Sequence, residues 1–428
     1  MMNIQSWFAS ARDSVFLFAA ALCGIAVGIA RVKWPFSLAG GIVAVIAFLK
    51  APEVLGFFVG GGLYLTARTL SLGQGELFLL NIGSFFIPIY GMIFFLLVKK
   101  RFGPFIALIK RWEFWAVIGL GLLLILRLPD SLYPEYGWQK VKYYLVNNLV
   151  CFLGPMLATA VWGTPGLHRF LRGLFLGGLA LILYFWIDQS YLDLPFYKYA
   201  VLDFNPIGLS RFVGLFIILT VFFRSLPLAA TIRFCLMMAA GAAMVLLNAR
   251  GPALALVVAL LFGGFFLAGR KSRMLPLLAA PVFLFLSYYI SSHYWFAPDL
   301  FSTGDSGRLQ LYQTALEAFM QSPLLGAGTG SYAYLSPVSS VMYPHNLLLE
   351  SAVELGLVGL GLCLLLFLSP LVRLLTKRNR NGDAALAGSL LLYCFINAMV
   401  SGDIPGNFLL WLSLGVAFSQ GADREEGL

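Results

Sequence analysis

The feature that most limits how this chain can fold is a series of uninterrupted apolar runs, recurring from Val15 almost to the C-terminus with only short polar gaps. In lipid every backbone N–H and C=O must be satisfied within the protein, which leaves helices and closed barrels. A barrel would read as roughly ten-residue segments of alternating polarity. Here the runs are continuous, as in Phe114 to Leu126 and Leu347 to Leu368, so the spans are helical. Of the 428 residues 60% are hydrophobic and 11% charged, against about a quarter charged in an average soluble protein. An ordinary soluble enzyme is excluded, and the expected fold class is all-α, a polytopic integral membrane protein.

Candidate spans fall near 14–30, 36–50, 53–70, 76–98, 114–127, 143–162, 173–187, 209–223, 232–249, 252–268, 274–292, 346–368, 384–402 and 405–419. They amount to about 12 to 14 transmembrane helices in a single integral membrane domain, 1–428. The first run is followed by Arg31, Lys33 and Trp34 where a signal peptide would show small residues, so it is read as a retained span. The formal net charge is +10, but Lys and Arg sit in short clusters between apolar runs and not on one soluble face. They read as topology signals, and no nucleic-acid partner is expected.

With the N-terminus inside, about two thirds of the 29 Lys and Arg fall on the cytoplasmic side, with Arg31 and Lys33 as the main dissent. On that topology two connections longer than a helix hairpin requires, 188–210 and 292–345, share the outer face. Long loops without a structural need tend to carry function, so the working face is extracytoplasmic. Cys23, Cys151, Cys235, Cys363 and Cys394 each lie inside an apolar run without metal or disulfide spacing and read as packing residues.

In the second loop, Ser306-Gly307-Arg308 opens a stretch with Leu309, Tyr312, Leu316 and Phe319 at helical spacing, after Asp305 or Ser306 as N-cap. This predicts an amphipathic helix along the outer membrane surface. In the following Pro323–Ser331 segment, Gly326, Gly328 and Gly330 let the backbone turn tightly or approach a ligand closely. No strand precedes it, so it is not a nucleotide fingerprint. The loop closes with Tyr343-Pro344-His345-Asn346 at the mouth of a span. There the helix dipole favours a neutral imidazole, which makes His345 a candidate general base. Glu350 and Glu354, four apart on one face of an apolar helix, need partners. They either orient an arginine or an acceptor or form a structural pair. Gly356, Gly359 and Gly361 read as close helix packing.

Together the Gly-Arg helix, the Pro-Leu-x-Gly-x-Gly-x-Gly segment and the His-Asn-x-x-Leu-Glu-x-x-x-Glu-Leu-Gly segment, within about 306–361, resemble the O-antigen ligase and polymerase superfamily. The resemblance implies an inverting, membrane-embedded glycosyltransferase of the GT-C type in the bacterial inner membrane, with its active site facing the periplasm. It would take a glycan from undecaprenyl diphosphate and pass it to a hydroxyl of a lipid-linked sugar acceptor such as lipid A-core, without a cofactor. The family histidine maps onto His345, with Asn346 beside it, and the loop arginine onto Arg308. A second arginine maps onto Arg211, and Arg250 is a third candidate for the diphosphate.

An anionic leaving group calls for fixed positive charge and a base for the incoming hydroxyl, and arginine supplies a planar fork of donors for a diphosphate. Arg211 and Arg250 also read as span-end residues snorkelling to headgroups, Arg308 as a solvated helix-end residue and His345 as an ordinary cap. No metal is expected, because the outer-face acids Asp188, Asp193, Asp203, Asp299, Asp305 and Asp403 contain no Asp-x-Asp pair. The sister reading is a polymerase that uses undecaprenyl diphosphate for both substrates. A lipid-glycan flippase or solute transporter is a reading from another class, disfavoured by the concentration of polar residues in outer loops.

Overall fold

The computed structural model of the protein describes residues 51–65, 82, 86–98, 102–187, 206–247, 249–266, 308–338, 341–376 and 382–420. The expected spans at 14–30, 36–50 and 274–292, most of the 188–210 loop, and residues 292–307 with the N-caps proposed there lie outside the described residues. Those described form helices and loops with no strand, so the chain is an all-α membrane protein. Among them, three stretches are long and apolar enough to cross a membrane: Pro134–Ile187, Leu347–Thr376 and Gly382–Val400.

The helices are α1 (Glu53–Phe57), α2 (Ile87–Val98), α3 (Phe102–Ile109), α4 (Trp112–Leu126), α5 (Pro134–Tyr143), α6 (Leu149–Ile187), α7 (Pro206–Phe222), α8 (Ala230–Leu246), α9 (Arg250–Phe266), α10 (Arg308–Gln321), α11 (Tyr332–Leu335), α12 (Leu347–Thr376), α13 (Gly382–Val400) and α14 (Phe408–Ser419). The chain divides into two compact units, one of residues 1–110, 150–243 and 419–428, the other of residues 111–149 and 244–418.

In the first unit, α1 and the π-turn Phe58–Gly62 lie backbone to backbone against α6. Gly56 and Gly60 face the Phe170 and Leu174 carbonyls, while Gly173 and Gly177 face those of Glu53 and Phe57, so a four-residue glycine spacing on each side lets the chains touch. Arg169 Nε donates to Glu53 Oε1 at 2.7 Å across this contact. One expectation is refined: two helices do meet between the runs read at 143–162 and 173–187, but they turn at Gly163 (φ 67°, ψ −164°) and not through a polar connection over 163–172, because the helix that follows already carries Arg169 and Arg172. Arg233 donates to the carbonyls of Thr220, Phe223, Leu226 and Leu228, satisfying groups that α7 leaves open at its C-terminus. Cys151, in this unit, is buried, but Cys235 is exposed on α8 and is not a packing residue.

The second unit is built around buried Trp411. Tyr144 meets its ring edge-on at 5.3 Å and donates its hydroxyl to the Val117 carbonyl at 2.7 Å, which joins α14, α4 and the π-turn Tyr144–Asn148. Ser389 of α13 donates to the Ala259 carbonyl of α9 at 3.0 Å.

Within this unit α12 breaks at Gly356, whose φ of 66° and ψ of −160° no side-chain-bearing residue adopts without strain. A break in a helix frees two carbonyls and two amides, and the 323–328 segment takes all four. Ala327 N–H donates to the Val353 carbonyl at 2.7 Å and Gly328 N–H to the Glu354 carbonyl at 3.1 Å. In return, Leu357 N–H donates to the Pro323 carbonyl at 2.8 Å and Val358 N–H reaches that of Leu324 at 3.5 Å. The loop thus stands in for the missing turn, and the backbone accounting closes without water.

The same segment binds the α4–α5 connection. Thr329 donates its N–H to the Arg127 carbonyl and its hydroxyl to that of Leu124, and Arg127 Nη2 donates to the Gly326 carbonyl at 2.9 Å. Gly356→Ala should therefore cost on the order of 1–3 kcal/mol in backbone strain, on top of the clash its Cβ would make with the Leu324 carbonyl group. Thermal unfolding in detergent should show a lowered Tm for Gly356→Ala and an unchanged one for Gly361→Ala, whose Cβ meets open space.

Candidate functional site

The loop-to-helix junction at the start of α12 is built from the cap outward. Asn346 Oδ1 accepts the Leu348 and Leu349 N–H groups at 3.1 Å each, which makes Asn346 the N-cap. His345 immediately precedes it with φ at 57°, the one non-glycine residue with positive φ among those described. That left-handed conformation is costly for an L-residue and clusters at functional positions. The Tyr343 ring stands edge-on to the imidazole at 4.7 Å. The structure therefore places His345 at the helix mouth, as its sequence position implied.

One turn further in, Glu350 and Glu354 are fully buried, and both engage a residue that sequence reading passed over. Lys140 of α5, itself fully buried, donates from Nζ to Glu350 Oε1 at 2.5 Å and to Glu354 Oε1 at 2.6 Å. The Tyr136 ring lies 4.8 Å from the same ammonium. Tyr136 donates its hydroxyl to Asp403 Oδ2 at 2.7 Å, while Asp403 Oδ1 accepts the Gly406 N–H at 2.8 Å. A charged chain thus runs from α12 through α5 to the α13–α14 turn. Of the two readings of the glutamates, the structure shows the structural pairing, with Lys140 as the shared cation. One signal was present in the sequence: two carboxylates one turn apart in an apolar helix require a buried cation, and Tyr136 and Lys140 share one face of the polar helix α5.

Gly326, Gly328 and Gly330 are also placed here, and they make the tight backbone turns that were one of their two expected uses. All three have positive φ, and the backbones they approach are the protein's own. A Cβ on Gly326 would strike the Glu354–Leu355 backbone, on Gly328 that of Asp130 and Ser131, and on Gly330 that of Gly137. They shape the splice into α12.

Arg308 is the first residue of α10, half-buried. It is tied to the junction by a cluster in which Leu311, Ala315 and Ala318 pack with Tyr332 and Val353, with Tyr312, Phe319 and Leu349 against them. Tyr332 donates its hydroxyl to the Leu311 carbonyl at 2.9 Å, and burial pushes this phenol up, which keeps it a donor. The expected apolar face of α10 is therefore divided: Tyr312 and Phe319 face the protein, whereas Leu309 and Leu316 are exposed. Arg250 is the first residue of α9, between two helix ends as expected, and is half-buried. Arg211 lies in α7, in the other compact unit.

The buried triad generates a stability prediction. Lys140→Met leaves two buried carboxylates without their cation and should cost about 3–5 kcal/mol. Adding Glu350→Gln and Glu354→Gln removes the uncompensated charge and should restore most of that loss. Comparing the Tm of the single and triple variants checks it.

Two comparisons with known proteins bear on this region. The chain matches the sequence profile of a family described as O-antigen ligase over residues 234–364. It is also 29% identical over 124 residues to a Rickettsia conorii protein provisionally named a polysaccharide ligase, a match covering 26% of this chain and 29% of that protein. The profile match takes in Arg250, Arg308, the glycine segment, His345, Glu350 and Glu354, and leaves Arg211, Lys140 and Asp403 outside. The profile match covers the motifs at the splice and the α12 junction, and residues 234–364 of this chain are similar to the O-antigen ligase family.

Proposed function

We propose that this protein is a membrane-embedded glycosyltransferase of the O-antigen ligase type. It moves a glycan from undecaprenyl diphosphate to a hydroxyl of a lipid-linked sugar acceptor, lipid A-core or one like it, at the periplasmic face of the bacterial inner membrane, with inversion. The observation that carries this reading is His345, held in a strained left-handed conformation directly before the α12 cap, inside the segment that matches the family. In the proposed mechanism His345 takes the proton from the acceptor hydroxyl as its oxygen attacks the anomeric carbon. The bond to the diphosphate oxygen breaks, and the departing anion is held by Arg308 and Arg250 through their planar donor forks. Asn346 fixes the backbone that presents the imidazole, and Glu350 and Glu354 support it through Lys140. No metal or cofactor has a step in this scheme.

The test is transfer by purified protein from an undecaprenyl diphosphate-linked glycan to lipid A-core, with EDTA present. The reading expects sugar on the core. Longer chains on the carrier would instead make the protein a polymerase, and an intact donor with no product would return the transporter class. His345→Ala should abolish turnover with normal membrane insertion, and normal turnover in that variant would remove the general base. Arg308→Lys keeps the charge but loses the fork and should lower the transfer rate by roughly 10- to 100-fold if one charge-assisted hydrogen bond is lost. Unchanged donor binding in that variant would take Arg308 out of the diphosphate site; Arg211→Lys, assayed separately, tests the other candidate.

A further inference from the structure

The helices of the second unit carry a record of where the bilayer begins and ends. From Leu357, just past the break, to its end at Thr376, α12 measures roughly 30 Å at 1.5 Å per residue, one hydrocarbon thickness. Leu357, Val358, Leu365 and Leu368 are exposed along this stretch, whereas on the other side of the break only buried or half-buried side chains occur.

The neighbouring helix α4 gives the same boundary independently. Its exposed apolar residues, Leu122, Ile125 and Leu126, stop at Arg127, which pairs with Asp130 at 2.5 Å and holds the Gly326 carbonyl beside the break. Exposed Tyr133 and Trp138 follow at once, as aromatic residues do at a headgroup boundary. At the opposite ends of α4 and α12, Arg373 pairs with Glu113 at 3.3 Å beside exposed Trp112 and Trp115. Two belts of charge and aromatic rings thus bracket both helices, and one of them passes through the break at Gly356.

Helix α10 is tied to that belt. It runs directly into Pro323 and Leu324, whose carbonyls accept the Leu357 and Val358 N–H groups. Its side away from the protein carries Leu309, Leu316 and Met320, in line along the helix, each more than half exposed and continued by Leu324 at 68%. Exposed Gln313 lies within this stripe, and exposed Glu317, Gln310 and Gln321 lie to one side of it. A stripe of this kind in water would be an anomaly; continuous with the lipid-facing leucines of α12, it has an occupant.

We propose that α10 is seated in the interfacial zone of the bilayer at the depth of the α12 break, with Leu309, Leu316, Met320 and Leu324 among the acyl chains. Gly356 then marks the membrane boundary on α12. This placement is independent of the transfer reaction.

The experiment uses the full-length protein in lipid nanodiscs, with native cysteines replaced and single nitroxide labels at positions 310, 316, 320 and 321, read by collision with oxygen and with a water-soluble nickel chelate. The expected result is a higher oxygen-to-nickel collision ratio at 316 and 320 than at 310 and 321. Equal nickel access at all four positions would put α10 in water and overturn the proposal. Protection of 316 and 320 from both reagents would also overturn it, by assigning the stripe to a protein partner or a second copy.

Discussion

The register of α4, α5 and α12 depends on the four backbone hydrogen bonds that stand in for one turn of α12. A span broken at Gly356 would strand two carbonyls and two amides at the edge of the bilayer, each at a cost of several kcal/mol in a medium without water. The 323–328 segment removes that cost and gains a fixed position in return. Because the same few residues hold the Arg127 and Leu124 carbonyls, the splice sets α4, α5 and α12 in one register. The alternating glycines are explained by this alone: only a backbone without Cβ fits between Asp130, Gly137 and Glu354.

The electrostatics build on that register. Lys140 meets Glu350 and Glu354 because α5 is pinned to the glycine segment at Gly137, one turn before the lysine. A buried ion pair of this kind is poor evidence for stability, since its desolvation cost approaches the attraction gained. Its value lies in specificity: an ammonium shared by two carboxylates one turn apart accepts a single rotation and height of α12. The Asn346 cap and His345 sit one turn from Glu350, so they inherit that setting.

Much of this was legible in the sequence where the signal is local. Helices α7, α8, α9 and α13 fall within about three residues of the runs read at 209–223, 232–249, 252–268 and 384–402, because a continuous apolar run in lipid has one solution. The junction at His345 and Asn346 was equally legible, since a polar pair after proline at a span mouth is a cap. What could not be read is what connects distant segments. Arg169 and Arg172 looked like a loop because their neighbour Glu53 lies more than a hundred residues away. Lys140 is separated from Glu350 by 210 residues and carries no motif. The glycine segment was visible, but its partner, a break in α12 some thirty residues on, leaves no trace in spacing. The face of α10 was misassigned for the same reason: Tyr312 and Phe319 are apolar by type, and only the fold says which apolar side is covered.

The central claim is that residues 323–328 complete the broken turn of α12. Amide hydrogen exchange on the full-length protein tests it directly, through peptides covering 323–330 and 353–360. The splice predicts that the amides of Ala327, Gly328 and Leu357 exchange as slowly as those inside α12, although the first two lie in a loop. Exchange of the 323–330 amides at the rate of an open loop would contradict it, and with it the register on which the site rests.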